Sequence, residues 1–224
     1  QVMSFLAASI GLAIAQPVGR GQESALWGRV ERSIAVASSS GAATGVGVLV
    51  DPSGRFLFHS SVLRGRGPWT VQVGSKFFVA QLVASDSETG MALIKASKWD
   101  STIGTPVRMA ASSPGKGDRV LAATPIGPRM AQVSSELVVG QMRPSLRYVP
   151  LAEVTLEDKG GGMIAGSAIF NGRGELIGMI SAFQLEPGRT SPPAGFAGSA
   201  DANLKVLMQD NARVFGPGSL TVGY

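Results

Sequence analysis

The sequence has no cysteine and a single histidine. The first absence excludes a disulfide framework and any thiolate metal site. The second leaves little for zinc, which draws on clustered histidine, cysteine and carboxylate ligands. Charge is sparse as well, at 16% of 224 residues. The net charge is +5, from 20 Lys and Arg against 15 Asp and Glu. The basic residues are scattered, and the tightest group is Arg64-Gly65-Arg66. A nucleic-acid face gathers its cations into a stripe with aromatics between them, so no nucleic-acid partner is expected. There is no Walker-type Gly-x-x-x-x-Gly-Lys-Ser/Thr run, and the "GRGELIG" glycines at 172–178 precede no helix, so neither nucleotide loop is present. Glu153, Glu157 and Asp158 lie close in sequence, but a solvated strand end accounts for them, and nothing selects a carboxylate pair for glycosidase chemistry. No cofactor and no metal are expected.

Apolar residues make up 44% of the chain, enough to bury a substantial core and to argue against disorder. Glycine (30) and proline (13) are frequent, which favours short strands and many turns over long helices. The uncharged run "VMSFLAASIGLAIA" at 2–15 ends in Ala13-Ile14-Ala15. It has the length and the small-x-small ending of a secretory leader and is shorter than a membrane span. Residues 1–16 are therefore expected to be a signal peptide or an uncleaved anchor. The chain is then exported, to a periplasmic or extracellular compartment, and an uncleaved anchor is its only expected link to a membrane. Residues 17–33 read as a linker and a short helix, with Leu26, Trp27 and Val30 on one side.

From residue 34 the pattern is one of strands. The apolar run 45–50 stops at Asp51-Pro52-Ser53-Gly54 and restarts at 56–58, which predicts a hairpin. A second hairpin is predicted for 69–73 and 76–83 around Gly74-Ser75. Further strands are expected at 34–37, 91–95, 118–123, 149–156, 167–170 and 175–182, with 130–133 and 137–141 paired to each other. Only 200–215 near the end reads as helical. Short strands with turns every few residues predict an all-β protein, in two units at 34–110 and 111–200, followed by a C-terminal helix at 201–216.

Several strings resemble, in order and in spacing, the trypsin-like serine proteases of the HtrA/Deg family. "GVGVLVDPSGRFLFHSSVL" (45–63) is similar to the strand-turn-strand that carries that family's catalytic histidine. "ASDSETGMALIK" (84–95) is similar to the segment with its aspartate, and "PGKGDRVLAATPIG" (114–127) to its V-G-D-W-V-L-A-I-G-N-P-F-G run. "AGSAIFNGRGELIGMISA" (165–182) is similar to the region from the nucleophilic serine onward, and "AGFAGSADAN" (194–203) to the stretch before its C-terminal helix. The resemblance implies two trypsin-like, six-stranded β-barrels of chymotrypsin fold with a cleft between them. "PGSLTVGY" (217–224) resembles the strand that opens the family's following PDZ domain, which would place a domain boundary there.

The chemistry of that family needs an imidazole base, a carboxylate to orient it, and a hydroxyl nucleophile. Carried over position by position, the histidine falls on Ser61, the aspartate on Gly90 and the serine on Ala165. All three reactive side chains are absent. The oxyanion-loop positions fall on Met163 and Ala165, and Gly160-Gly161-Gly162 supply an equivalent only after a register shift. A rearranged triad is the alternative, with His59 as base, Asp86 as its orienting carboxylate and Ser167 as nucleophile. It requires three compensating shifts. Otherwise His59 is an ordinary histidine at a strand end, Ser167 a small residue in a tight turn, and Asp86 a turn-capping carboxylate. The expected function is that of a pseudo-protease, which binds an extended peptide or a partner protein without cleaving it. An active serine endopeptidase and a structural subunit of a homo-oligomer are the two alternatives.

Overall fold

The computed structural model describes residues 20–39, 42–63, 67–86, 90–125, 127–133, 138–139, 150–156, 166–184, 194–199 and 204. The leader or anchor at 1–16, the possible PDZ start at 217–224 and all of the expected helix at 201–216 except Leu204 lie outside them. The one described α-helix, α1, is Arg20–Val30, and a 3-10 turn at Glu31–Ser33 follows it. Leu26 and Val30 are buried, and Trp27 packs beside them. Among the described residues no helix is long and apolar enough to cross a membrane.

Six strands close into a barrel: β1 (Ile34–Ser39), β2 (Ala42–Leu49), β3 (Arg55–His59), β4 (Trp69–Val73), β5 (Lys76–Asp86) and β6 (Met91–Ala96). Their order around the barrel is β1-β2-β3-β6-β5-β4, and every pairing is antiparallel. Both expected hairpins form. In the first, the Asp51 carboxylate accepts from the Ser53 N–H at 2.8 Å and pairs with Arg55 at 3.1 Å, which holds the turn. In the second, Gly74 turns at a φ of +56°. Strand β4 alternates buried Trp69, Val71 and Val73 with half-buried Thr70 and Gln72, the period of a sheet with one covered face.

Strands β2, β3 and β6 are buried on both faces, which explains why their sequences read as continuous apolar runs. Leu49, Phe56, Phe58, Ala92 and Ile94 point into the barrel with Val71 and Trp69. Val46, Val48, Leu57, Met91 and Leu93 point outward, where they meet Leu121, Ala123, Ala168, Phe170 and Met179. Those partners belong to the second half.

That half contributes β7 (Arg119–Thr124), β8 (Gly127–Val133), β9 (Val138–Val139), β10 (Pro150–Leu156), β11 (Ala168–Phe170), β12 (Leu176–Gln184) and β13 (Ala194–Ser199). They form a seven-stranded sheet in the order β13-β12-β11-β7-β8-β10-β9, in which β13 also pairs with β10. Here the structure corrects one expectation. β8 and β9 do not pair with each other; each lies antiparallel to β10, Val133 opposite Val154 and Val138 opposite Leu151. β10 takes β9 at Pro150 and Leu151 and β8 at Val154–Leu156. β13 carries little strand signal in its sequence, because "AGFAGS" offers one large apolar side chain in six residues.

The segment between the halves is tied to both. Val107 N–H donates to the Leu49 carbonyl at 2.8 Å, and Ala110 N–H to the Leu176 carbonyl at 2.9 Å. Leu176 N–H returns a bond to Arg108 at 2.8 Å. The halves thus share one buried layer and a hydrogen-bonded connection.

Close approach fixes Gly47 in this layer. A Cβ there would fall 2.2 Å from the ring of Phe58, its fully buried neighbour in register. Gly47→Ala is expected to destabilise the fold by roughly 1–3 kcal/mol, the usual cost of overpacking a filled core. Urea unfolding followed by tryptophan fluorescence measures it; an unchanged midpoint would contradict the assigned packing.

Candidate functional site

Alternation along β3 sends Phe56 and Phe58 into the barrel, and Leu57 and His59 toward the second sheet. His59 therefore ends β3 in the layer between the halves, with only 8% of its surface exposed. The chain then tightens into a 3-10 turn, Ser60–Val62, with His59 as its N-cap. The imidazole caps that turn: Nδ1 accepts from the Ser61 backbone N–H at 3.3 Å and lies 2.7 Å from Ser61 Oγ. A backbone N–H only donates, so Nδ1 carries no proton, Nε2 carries the ring proton, and the Ser61 hydroxyl donates to Nδ1. Burial of the ring lowers the His59 pKa from its ordinary value, because the charged form loses its hydration.

The other ring edge faces Gly90. A Cβ at that position would sit 2.7 Å from Nε2. Gly90 turns at a φ of +68° just before β6, a conformation that glycine adopts without a steric penalty. Its carbonyl accepts from the Ser60 N–H at 2.7 Å, which ties this turn to the capped one. The imidazole thus occupies the room that any side chain at position 90 would need.

From the second sheet, Gly166 closes the cluster. It turns at a φ of +87°, and a Cβ there would fall 2.6 Å from Val62 Cγ1 and 3.6 Å from His59 Cβ. Its N–H donates to the Ile180 carbonyl at 2.7 Å, and Ile180 N–H donates to the Ser167 carbonyl at 2.8 Å. Ser167 is fully buried at the entry to β11. Asp86 ends β5 opposite Met91, and Met91 also lies opposite His59. Asp86 and His59 are therefore two strand spacings apart, roughly 10 Å between backbones.

The structure brings together His59, Ser61 and Gly90, with Val62 and Gly166 against them. The hydrogen bonds of the His59 ring go to Ser61, and neither Asp86 nor Ser167 takes part in them. Met163, Ala165 and Gly160-Gly161-Gly162 lie outside the described residues. The resemblance did not reveal the Ser61–His59 bond or the contacts of Val62 and Gly166. The His-x-Ser spacing at the end of an apolar strand was the available signal for the first. Among the described residues no cluster of three or more His, Asp or Glu could hold a metal ion.

Two outcomes follow from this geometry. Because the folded pKa of His59 lies below the unfolded value of about 6.5, the unfolded chain binds more protons between those two values. The stability contribution is complete above about pH 6.5 and is lost as pH falls through the folded pKa. Thermal melts between pH 7.5 and 4.5 should show that loss. His59→Asn, whose amide oxygen can still accept from Ser61 N–H, should flatten it. Separately, Gly90→Asp is expected to destabilise by at least about 1–3 kcal/mol, the cost of a side chain in a left-handed backbone conformation. Full stability for this variant in denaturant titration would show that the ring is not where the structure places it.

No protein-family model and no curated protein matches the sequence. Solved structures do match. An inactive form of Rv3671c from M. tuberculosis, carrying a serine-to-alanine substitution, superposes with a TM-score of 0.69 at 17% identity, over 91% of this chain and 98% of that one. The active form of the Rv3671c protease gives 0.67 at 16% identity, over 95% of each chain. The HtrA-type protease AlgW, solved with a decapeptide, gives 0.66 at 21% identity, over 84% of this chain and 67% of that one. The architecture assembled around His59 is therefore the trypsin-like fold found in HtrA-type proteases.

Proposed function

We propose that this chain is a trypsin-fold pseudo-protease that binds an extended peptide or a partner protein without cleaving it. The observation that carries the proposal is the disposition of its one histidine. A working triad holds its imidazole between a carboxylate and the nucleophilic hydroxyl. Here one ring nitrogen caps a turn, and the other abuts a glycine whose replacement by a carboxylate would collide with the ring. The proton relay of a serine endopeptidase has no orienting carboxylate at that position.

Peptide binding needs no triad. An extended segment can join a sheet by main-chain hydrogen bonds, with side-chain pockets adding selectivity. The solution of AlgW with a decapeptide supports this assignment by analogy of fold. We read strands β13, β12, β11, β7, β8 and β10 of the second sheet as the second six-stranded barrel; the additional pairing of β13 with β10, which leaves only β9 outside the ring, supports that reading. The uncharged segment at 2–15 supports export to a periplasmic or extracellular site, and a homo-oligomer is compatible with the proposal.

Incubation with a casein-type substrate and with a fluorophosphonate probe tests it. The expected results are no turnover and no label on Ser167. Casein cleavage that disappears in His59→Ala would establish the active endopeptidase instead. Size-exclusion chromatography with an unfolded, fluorescently tagged peptide tests the binding half. Co-elution is expected, and its absence would favour a structural subunit.

A further inference from the structure

We propose that Ser61 is an acyl-acceptor site, at which His59 acts as general base toward activated acyl esters. The inference uses the same cluster as the proposed function but does not rest on it. It concerns a hydroxyl at the position where the resemblance places a histidine, and not the buried Ser167.

Four observations converge. Ser61 is exposed, on a 3-10 turn that follows a buried strand. Its Oγ lies 2.7 Å from His59 Nδ1, within the range for proton transfer. Nδ1 is in its basic form, since it also accepts the Ser61 N–H. The ring is held by burial, with the residue 8% exposed, and the Ser60 N–H bond to the Gly90 carbonyl fixes the turn. A hydroxyl, an unprotonated base and a rigid mount are the requirements of an activated nucleophile.

The step balances without a further reagent. Ser61 Oγ attacks the acyl carbon as its proton passes to His59 Nδ1. The tetrahedral adduct collapses, the bond to the leaving oxygen breaks, and that oxygen departs with the electron pair. The imidazolium then returns its proton to solvent, and Ser61 carries the acyl ester. A leaving group that departs as a stable anion needs no protonation. A peptide amine does need it, so acyl transfer from an activated ester is compatible with failure to cleave peptides.

The structure supplies an internal control. Ser53 is also exposed, and its Oγ lies 2.7 Å from a carboxylate oxygen of Asp51 and not from an imidazole. The full chain is incubated with p-nitrophenyl acetate, quenched in acid and mapped by peptide mass spectrometry. Ser61 is expected to be acetylated at least about tenfold faster than Ser53, a floor set below the roughly 10²–10⁴-fold that a positioned base contributes. The ratio should drop to near one in His59→Gln, whose side chain retains an acceptor for the cap but is no base. It should also fall in the wild type as pH drops below the folded pKa of His59. Equal acetylation of Ser61 and Ser53, or a Ser61 rate unchanged in His59→Gln, overturns the proposal. If that variant fails to fold, a Ser61 rate unchanged in His59→Asn overturns it equally.

Discussion

The space between the end of β3 and the turn before β6 holds one imidazole, and the rest of the site is arranged around it. His59 fills that space from one side and Gly90 yields it from the other. The bond from Ser60 N–H to the Gly90 carbonyl then locks the two turns together. A larger residue at 90 would have to push the ring out of its cap. A ring that left the cap would strand the Ser61 N–H in a partly buried position, where an unsatisfied donor is costly. Each residue thus restricts what the others can be.

This mutual restriction depends on where the cluster sits. His59 shares its face of β3 with Leu57, and that face meets Leu121, Ala168, Phe170 and Met179 across the layer between the halves. Water is largely excluded there, so a neutral, hydrogen-bonded imidazole is favoured over a charged one. Gly166 brings the second half within contact of the same turn through Val62. The turn at 60–62 therefore marks the seam between the two sheets. In this position a change in one half reaches groups of the other by direct contact.

Much of the fold was legible because its strands announce themselves. The run 45–50, the turn at Asp51-Pro52-Ser53-Gly54 and the alternation at Trp69, Val71 and Val73 follow from burial on one or two faces of a sheet. β13 was not legible, since small residues and glycine carry little strand signal, and its place is set by pairing with β10 and β12. The partner of β9 was not legible either, because adjacency in sequence suggested β8 while register assigns both to β10. At the site, attention to Ser61 and Gly90 came from family resemblance, which set them at the places of the family's histidine and aspartate. It could not show what those two residues do in this chain. That depends on a rotamer and on a distance between two turns, and neither is written in residue spacing.

The glycine at position 90 is therefore part of the packing around His59. In the arrangement that the resemblance implies, the base would stand at 61 and the carboxylate at 90, with position 59 free of both. In this chain the imidazole stands at 59 and takes the volume that the carboxylate would use, while 61 offers a hydroxyl to the same ring. An aspartate at 90 alone would create a collision; a histidine at 61 alone would set two imidazoles at one turn. Residues that share a contact in this way do not contribute additively. The three positions form one packing solution, in which the imidazole of His59 caps the turn at Ser61 and Gly90 leaves room for the ring.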